Sequence, residues 1–191
     1  MNYSEEFQTV DLIISSPSET RAVDAFALSL IKTERQVRKL VTHLIYQFAC
    51  FGPSDVVSLR ETLGRNRRVY FEGFERGFDA LYLKTVRALV GPEYDRLRPR
   101  IIEAIEHRNK IFHGQLTSNS LSREDLLKYV TDIRTWCETL ASNASTDFQY
   151  DGFGRNSFRK SAIPKLYERF KVQLVDTADY ERFIQQYMQR P

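Results

Sequence analysis

Apolar residues recur at three- and four-residue steps along most of the first 142 residues, the period of amphipathic helices. The stretch Ser-Pro-Ser-Glu at 16–19 combines a capping serine, a proline at the first helical position and a glutamate three residues after the cap. It predicts the start of a long helix that ends near Gly52. No stretch alternates convincingly with period two, so we predict an all-α fold.

Glycine and proline divide the rest of this region into further helices. Four more are predicted, over 53–64, 71–91, 92–114 and 122–142. The last of them begins with Ser122-x-x-Asp125, a capping motif. Short connections between helices favour an antiparallel bundle of about five helices, and we predict this bundle over residues 1–142.

The composition changes from Asn143 onward. The stretch DFQYDGFGRNSFRKSAIPKLYERF mixes aromatic, glycine and basic residues. It predicts a loop followed by a short helix after Pro164. Residues 143–191 are therefore predicted to form a C-terminal arm that packs on the bundle.

Charge and cysteine content narrow the class of protein only slightly. The net charge is +3, and residues 148–191 account for all of it, with eight Lys/Arg against five Asp/Glu. Cys50 and Cys137 both lie in apolar-periodic segments, so two buried, reduced thiols are expected rather than a disulfide framework. The polar, acidic N-terminus and the lack of a long apolar run favour a cytoplasmic protein that does not span a membrane.

One stretch, EHRNKIFHGQ at 106–115, carries residues with chemical potential. Helical geometry places Arg108 on the apolar stripe of the fourth predicted helix, with Asn109 and His113 one turn apart beside it. A guanidinium or imidazole buried without partners is costly, so a helix built only for packing would not favour this pattern. The alternative is that Arg108 extends past the core to solvent and His113 only ends the helix.

Arg-Asn-x-x-x-His at the end of a bundle helix resembles the signature of HEPN-domain proteins. The resemblance covers the motif and the helical layout from about residue 18 to 142. It implies an all-helical, commonly dimeric protein and a metal-independent ribonuclease that acts without a cofactor. Members serve as toxins, in phage defence or in RNA processing, so an antitoxin or regulatory protein is an expected partner beside RNA and a second copy of the chain.

Two other pairs satisfy the bare spacing, Arg38 with His43 and Arg100 with His107. Asn109 after the arginine and Gly114 after the histidine select the pair of Arg108 and His113. Both His43 and His107 are expected at the surface.

The chemistry of RNA cleavage suits the selected residues. Histidine can take a proton from the 2′-hydroxyl or give one to the departing 5′-oxygen, and arginine offers a planar fork to phosphate oxygens. Asn109 can orient the phosphate or the imidazole. The carbonyl end of a helix favours a cationic His113. One arginine and one histidine make a sparse site, and the family resemblance implies that a two-fold dimer supplies two of each.

The arm offers candidate RNA contacts in Arg155, Arg159 and Lys160, with Phe153 and Phe158 available to stack bases. The alternative is solvated charge above aromatic residues that pack on the bundle.

Two other functions stay open: a non-catalytic HEPN module that binds RNA or a nucleotide, and a helical scaffold whose Arg108 and His113 join subunits. No phosphate-binding loop, nucleophile elbow or metal-ligand spacing is present.

Overall fold

The computed structural model describes residues 2–66, 68–114 and 121–189. Over these ranges the protein is all-α, as predicted, with an isolated antiparallel bridge between Tyr82 and Phe170. The α-helices are α1 (Tyr3–Ser15), α2 (Arg21–Tyr46), α3 (Val56–Arg65), α4 (Phe71–Leu81), α5 (Val86–Val90), α6 (Tyr94–Phe112), α7 (Arg123–Phe148) and α8 (Thr177–Phe183).

The two 26-residue helices α2 and α7 pack against each other and form the centre of the molecule. Helices α1 and α4 pack on α2, while α5 and α6 pack on α7. Each long helix turns its apolar stripe inward, and Phe26, Leu40, Ile133 and Trp136 are completely buried. Burial of one such side chain contributes about 1.5–3 kcal/mol, so this stripe stabilises the pair far more than helix propensity does.

The N-terminal segment forms α1, a helix that was not among those predicted. Asn2 accepts a hydrogen bond from the Glu5 N–H at 3.1 Å, and the Glu5 carboxylate accepts one from the Asn2 N–H at 3.2 Å. Phe7 and Val10 are buried against the bundle. The long helix predicted from residue 16 instead begins at Arg21, because Ser16 and its proline belong to the connection after α1.

The predicted helix over 71–91 is interrupted after Leu81. The arm provides backbone partners at the break: the Leu83 N–H donates to the Arg169 carbonyl, and the Lys171 N–H donates to the Leu81 carbonyl, both at 2.9 Å. The Thr85 side chain then accepts from the Ala88 N–H and caps α5. The correct description is two helices joined by an extended connection.

The arm contributes to the same core. Helix α7 continues through the boundary predicted at residue 142 and ends at Phe148. Tyr150 and Phe153 are buried, and the segment predicted as a short helix after Pro164 is a 3-10 turn, Leu166–Arg169.

The end of the arm, the π-helical turn Ile184–Met188, packs on α4. Backbone and side chain of Met188 lie directly over Gly73 and Gly77 of α4. A Cβ at Gly73 would overlap the Met188 carbonyl oxygen. Glycine therefore permits this close approach of two backbones.

Two further observations concern the chain as a whole. Cys137 is buried, as expected, but Cys50 is exposed, which corrects the prediction of two buried thiols. None of the described helices is both long enough and apolar enough to span a bilayer.

Candidate functional site

The motif lies where α6 ends. The His113 N–H donates to the Asn109 carbonyl at 3.0 Å, and the next residue, Gly114, has φ of +64°. That left-handed conformation is readily available to glycine and stops the helix at this point. Gly114 therefore fixes where the His113 side chain leaves the carbonyl end of α6.

Arg108, Asn109 and His113 line one cleft of about 410 Å³, which we call the Arg108 cleft. Its other walls come from α2, through Glu34, and from residues 70–72 at the start of α4. The spacing of the three motif residues predicted that they lie together, and the fold places them in one hollow with residues from two other helices.

Each of the three guanidinium nitrogens of Arg108 donates a hydrogen bond within the chain. Its Nη1 donates to Glu34 Oε2 at 2.7 Å. Its Nε and Nη2 donate to the Asn109 side-chain oxygen at 3.3 and 3.0 Å. The Arg108 side chain is 14% exposed and that of Glu34 is 32% exposed, so the pair is only partly shielded from water. The edge of Arg108 formed by Nε and Nη2 can bind a phosphate through two parallel hydrogen bonds. In this structure the Asn109 amide oxygen occupies that edge.

Glu34 is the member of the site that the sequence analysis missed. It lies on α2, 74 positions before Arg108, and its neighbours in the sequence give no sign of the pairing. Glu72 and Glu106 also line the cleft. Among the described residues that line this hollow, carboxylates therefore outnumber guanidinium groups, which disfavours a polyanion unless further cations are added.

His113 is exposed at the mouth of the cleft, whereas the other two histidines are buried. The expectation that His43 lies on a solvated face is wrong. It is 0% exposed, its Nδ1 lies 3.0 Å from the Ser157 carbonyl oxygen, and its ring stacks on Tyr150 at 4.6 Å. Burial lowers the pKa of His43 to about 4. The arm covers this histidine, which the periodicity of α2 could not reveal.

His107 also lies inside, contrary to expectation. It is 8% exposed, and its Nε2 is 3.7 Å from a Glu103 carboxylate oxygen. The edge of its ring meets Tyr129 at 5.7 Å between ring centres. Of the three histidines, His113 is thus the one placed to exchange protons with a ligand in an open cleft.

The arm cations lie away from the Arg108 cleft and differ among themselves. Arg159 donates to the Gln149 carbonyl at 2.7 Å, at the end of α7. Lys160 donates to the Tyr46 and Phe48 carbonyls at the end of α2. Both therefore hold the arm against carbonyl ends of helices. Arg155 is exposed and lines a separate pocket.

Three exposed large apolar side chains belong to the helices or helix ends that form the cleft. Ile31 is 48%, Tyr70 is 53% and Phe112 is 62% exposed. Ile31 and Tyr70 line a hollow of about 300 Å³ together with Arg108, and Phe112 precedes His113. Single exposed apolar residues are common, but a group of them around one polar cleft is typical of an interaction surface.

Within the described ranges, no group of three or more His, Cys, Asp or Glu side chains is arranged to hold a metal ion.

Comparison with known proteins adds no relatives: no family model, no curated protein and no solved structure matches the chain.

Proposed function

We propose that the protein is a HEPN-type, metal-independent endoribonuclease that cleaves RNA through attack of the 2′-hydroxyl on the adjacent phosphate. The observation that carries this proposal is the placement of Arg108, Asn109 and His113 in one open cleft, with the imidazole at its mouth. A fixed fork of donors and a group that exchanges protons near neutral pH are the two elements this chemistry requires.

Arg108 is the phosphate-binding residue in this proposal. The Asn109 side-chain oxygen lies at hydrogen-bond distance from both Nε and Nη2 of Arg108. In the proposed complex, phosphate oxygens take its place on these two donors. Asn109 is exposed, so its amide can swing away when a phosphate arrives. Glu34 retains Nη1 and keeps the plane of the guanidinium in position.

His113 carries the proton transfers. In cleavage, the 2′-oxygen loses its proton and bonds to phosphorus, the bond to the 5′-oxygen breaks, and that oxygen gains a proton. The products are a 2′,3′-cyclic phosphate and a 5′-hydroxyl. One imidazole can perform one of these transfers at a time, so a second proton-exchanging group is required in the same complex.

A two-fold dimer supplies that group as the His113 of a second copy. The exposed apolar side chains of Ile31 and Tyr70, which line the hollow beside Arg108, and of Phe112, which precedes His113, support a contact between copies at this surface. The second copy would also bring a second Arg108. Two guanidinium groups would then face each scissile phosphate, and each would act on the charge that develops there.

The ribonuclease proposal is tested with a short fluorescent RNA in the presence of EDTA, beside the same RNA carrying 2′-deoxy sugars. The ribose strand should be cut and should leave 2′,3′-cyclic phosphate ends, whereas the deoxy strand should stay intact because it lacks the nucleophile. Cleavage of both strands, or cleavage that EDTA abolishes, would contradict the proposal.

The engagement of Arg108 by Glu34 and Asn109 favours a second candidate, in which the cleft is a polar contact of a helical scaffold or a non-catalytic RNA- or nucleotide-binding module. Such a protein would dimerise or bind RNA but leave both strands uncut. A toxin or phage-defence role, with an antitoxin as partner, is the biological setting that the family resemblance suggests for the enzyme.

A further inference from the structure

A second hollow lies on the other side of α2 from the centre of the bundle, between α3 and residues 155–158 of the arm. Its volume is about 470 Å³, within the range of small-molecule sites. We call it the Arg38 pocket. Four cations line it, Arg38, Lys39, Arg60 and Arg155, and no carboxylate is among the described residues of its lining.

Three of these cations form no direct ion pair with a described residue; Glu5 acts on Arg155 only from beyond ion-pair distance, while Glu6 and Asp151 act on Lys39. Elsewhere most partly buried arginines pair with carboxylates, as Arg98 does with Glu75 at 3.0 Å. Among the described residues, no carboxylate lies within ion-pair distance of Arg38, Arg60 or Arg155, and all three side chains are exposed. Like charges gathered around one hollow repel each other, and an anion that entered it would relieve this repulsion.

The fourth cation is part of the pocket wall. Lys39 Nζ donates to the Gly154 carbonyl at 2.8 Å, and burial lowers the pKa of its ammonium group. This contact ties the arm to α2. It thereby fixes where the next residue, Arg155, enters the pocket.

Apolar side chains form a second part of the lining, beside the polar residues Thr42, Asn66, Asn156 and Ser157. Leu59 and Leu63 of α3, Phe74 of α4 and Phe158 of the arm contribute to it. The Arg60 guanidinium lies over the Phe158 ring, 5.0 Å from its centre. A flat apolar group could stack in this hollow while an attached anion reached the arginines, since arginine and aromatic faces both stack on planar rings.

We propose that the Arg38 pocket binds a nucleotide, with the base against the apolar wall and the phosphate on Arg38, Arg60 and Arg155. A bare inorganic anion would leave the apolar wall unused, and an uncharged aromatic ligand would leave the cations unpaired. The ligand is either a free nucleotide or one unit of an RNA strand. This inference does not rest on the ribonuclease proposal.

The position of Arg38 connects the pocket to the rest of the surface. Arg38 also lines the hollow of about 300 Å³ that contains Arg108. Arg38 lies four residues after Glu34 on α2, which corresponds to about 6 Å along the helix axis. A strand with one nucleotide in the Arg38 pocket could therefore continue toward the Arg108 cleft.

Calorimetric titration of the full chain tests the inference with five probes: adenosine 5′-monophosphate, adenosine, ribose 5-phosphate, a hexaglutamate peptide and a 2′-O-methyl adenylate hexamer that 2′-hydroxyl attack cannot cut. Adenosine 5′-monophosphate should bind more tightly than adenosine or ribose 5-phosphate. Tighter binding of the hexamer would identify a strand as the source of the nucleotide, and equal binding would identify a free nucleotide.

Arg38→Ala and Arg155→Ala should each weaken binding of adenosine 5′-monophosphate by about tenfold or more, because each removes a charge-assisted hydrogen bond. Arg123→Ala is the matched control, since Arg123 is exposed on α7 and does not line the pocket. All three variants should melt near the wild-type temperature because their side chains are exposed.

Three results would overturn the inference. The first is the absence of binding at millimolar adenosine 5′-monophosphate, and the second is equal affinity in Arg38→Ala, Arg155→Ala and Arg123→Ala. The third is equal binding of a hexaglutamate peptide, which would mean that the pocket attracts any anion. Because the probes are not cleaved, failure here is distinct from failure of the ribonuclease assay.

Discussion

Protonation of His43 should destabilise the protein in mild acid, and the structure sets the size of the effect. The imidazole is fully buried between α2 and the arm, stacked on Tyr150 and near the Ser157 carbonyl. Arg159 is the cation whose charge acts on it, and burial is the main reason for its lowered pKa. Tyr150 has a pKa raised by burial, so it does not titrate in acid.

The sign follows from the two pKa values. In the unfolded chain the imidazole has its ordinary pKa of 6.5, and in the folded protein the value falls to about 4. Between these values the unfolded state binds more protons, so stability is lost as pH falls. From pH 7 to pH 5 this one group should remove about 2 kcal/mol from the free energy of unfolding. For a chain of this size the loss corresponds to a fall of roughly 4–8 °C in melting temperature.

Urea unfolding at pH 7 and pH 5, at one salt concentration, measures the loss. His43→Asn is the control, because its amide can donate toward the Ser157 carbonyl but does not titrate. Other groups titrate alike in both proteins, so the wild type should lose about 2 kcal/mol more than the variant. Equal losses would show that His43 keeps its ordinary pKa and that the arm does not cover it.

Other variants test the packing of the arm and the role of Arg108. Gly73→Ala should destabilise by about 1–3 kcal/mol in urea unfolding, because its Cβ meets the Met188 backbone. In Gly64→Ala the new Cβ meets nothing within 4 Å, so this variant should instead stabilise α3 by up to about 1 kcal/mol. A Gly73→Ala variant more stable than Gly64→Ala would show that the arm does not pack on α4. Arg108→Ala should cost only about 1 kcal/mol, because Glu34 is a third exposed and can hydrate, yet RNA cleavage should disappear. Arg108→Lys should keep the fold but lose most of the activity, since lysine lacks the planar set of donors of a guanidinium. Full activity in that variant would contradict the proposal that Arg108 binds the phosphate.

Local signals were sufficient to predict several helix ends. Ser122 and Asp125 form the reciprocal capping pair that their spacing predicted. Gly114 ends α6 where it was expected. In each case the interacting groups lie within one turn of the chain, so the sequence contains the whole interaction.

The errors in the fold arose mostly from contacts between distant parts of the chain. The break after Leu81 depends on backbone groups of Arg169 and Lys171, almost ninety positions away. The apolar stripe continues through the break, so periodicity alone predicted one helix. Helix α1 is different, because its capping pair, Asn2 and Glu5, lies within one turn and belongs to the local signals.

The candidate site was only partly predictable for the same reason. Spacing brought Arg108, Asn109 and His113 together because they share one helix end. The partner Glu34 and the exposed Tyr70 come from other helices, and no local pattern marks them. The burial of His43 likewise required the position of the arm. A motif confined to one helix is readable in a sequence, but the groups that surround it are supplied by the fold.

Cleavage of labelled RNA in EDTA by the wild type, His113→Ala and Lys110→Ala tests the proposed function most directly. Lys110 shares the last turn of α6 but does not line the cleft, so its variant controls for a change at this helix end. We expect the wild type and Lys110→Ala to cut at similar rates, and His113→Ala to be slower by roughly 10²–10⁴, as for the loss of a general acid–base group. A folded, dimeric wild type that leaves RNA intact, or a His113→Ala variant that cuts as fast as Lys110→Ala, would contradict the account.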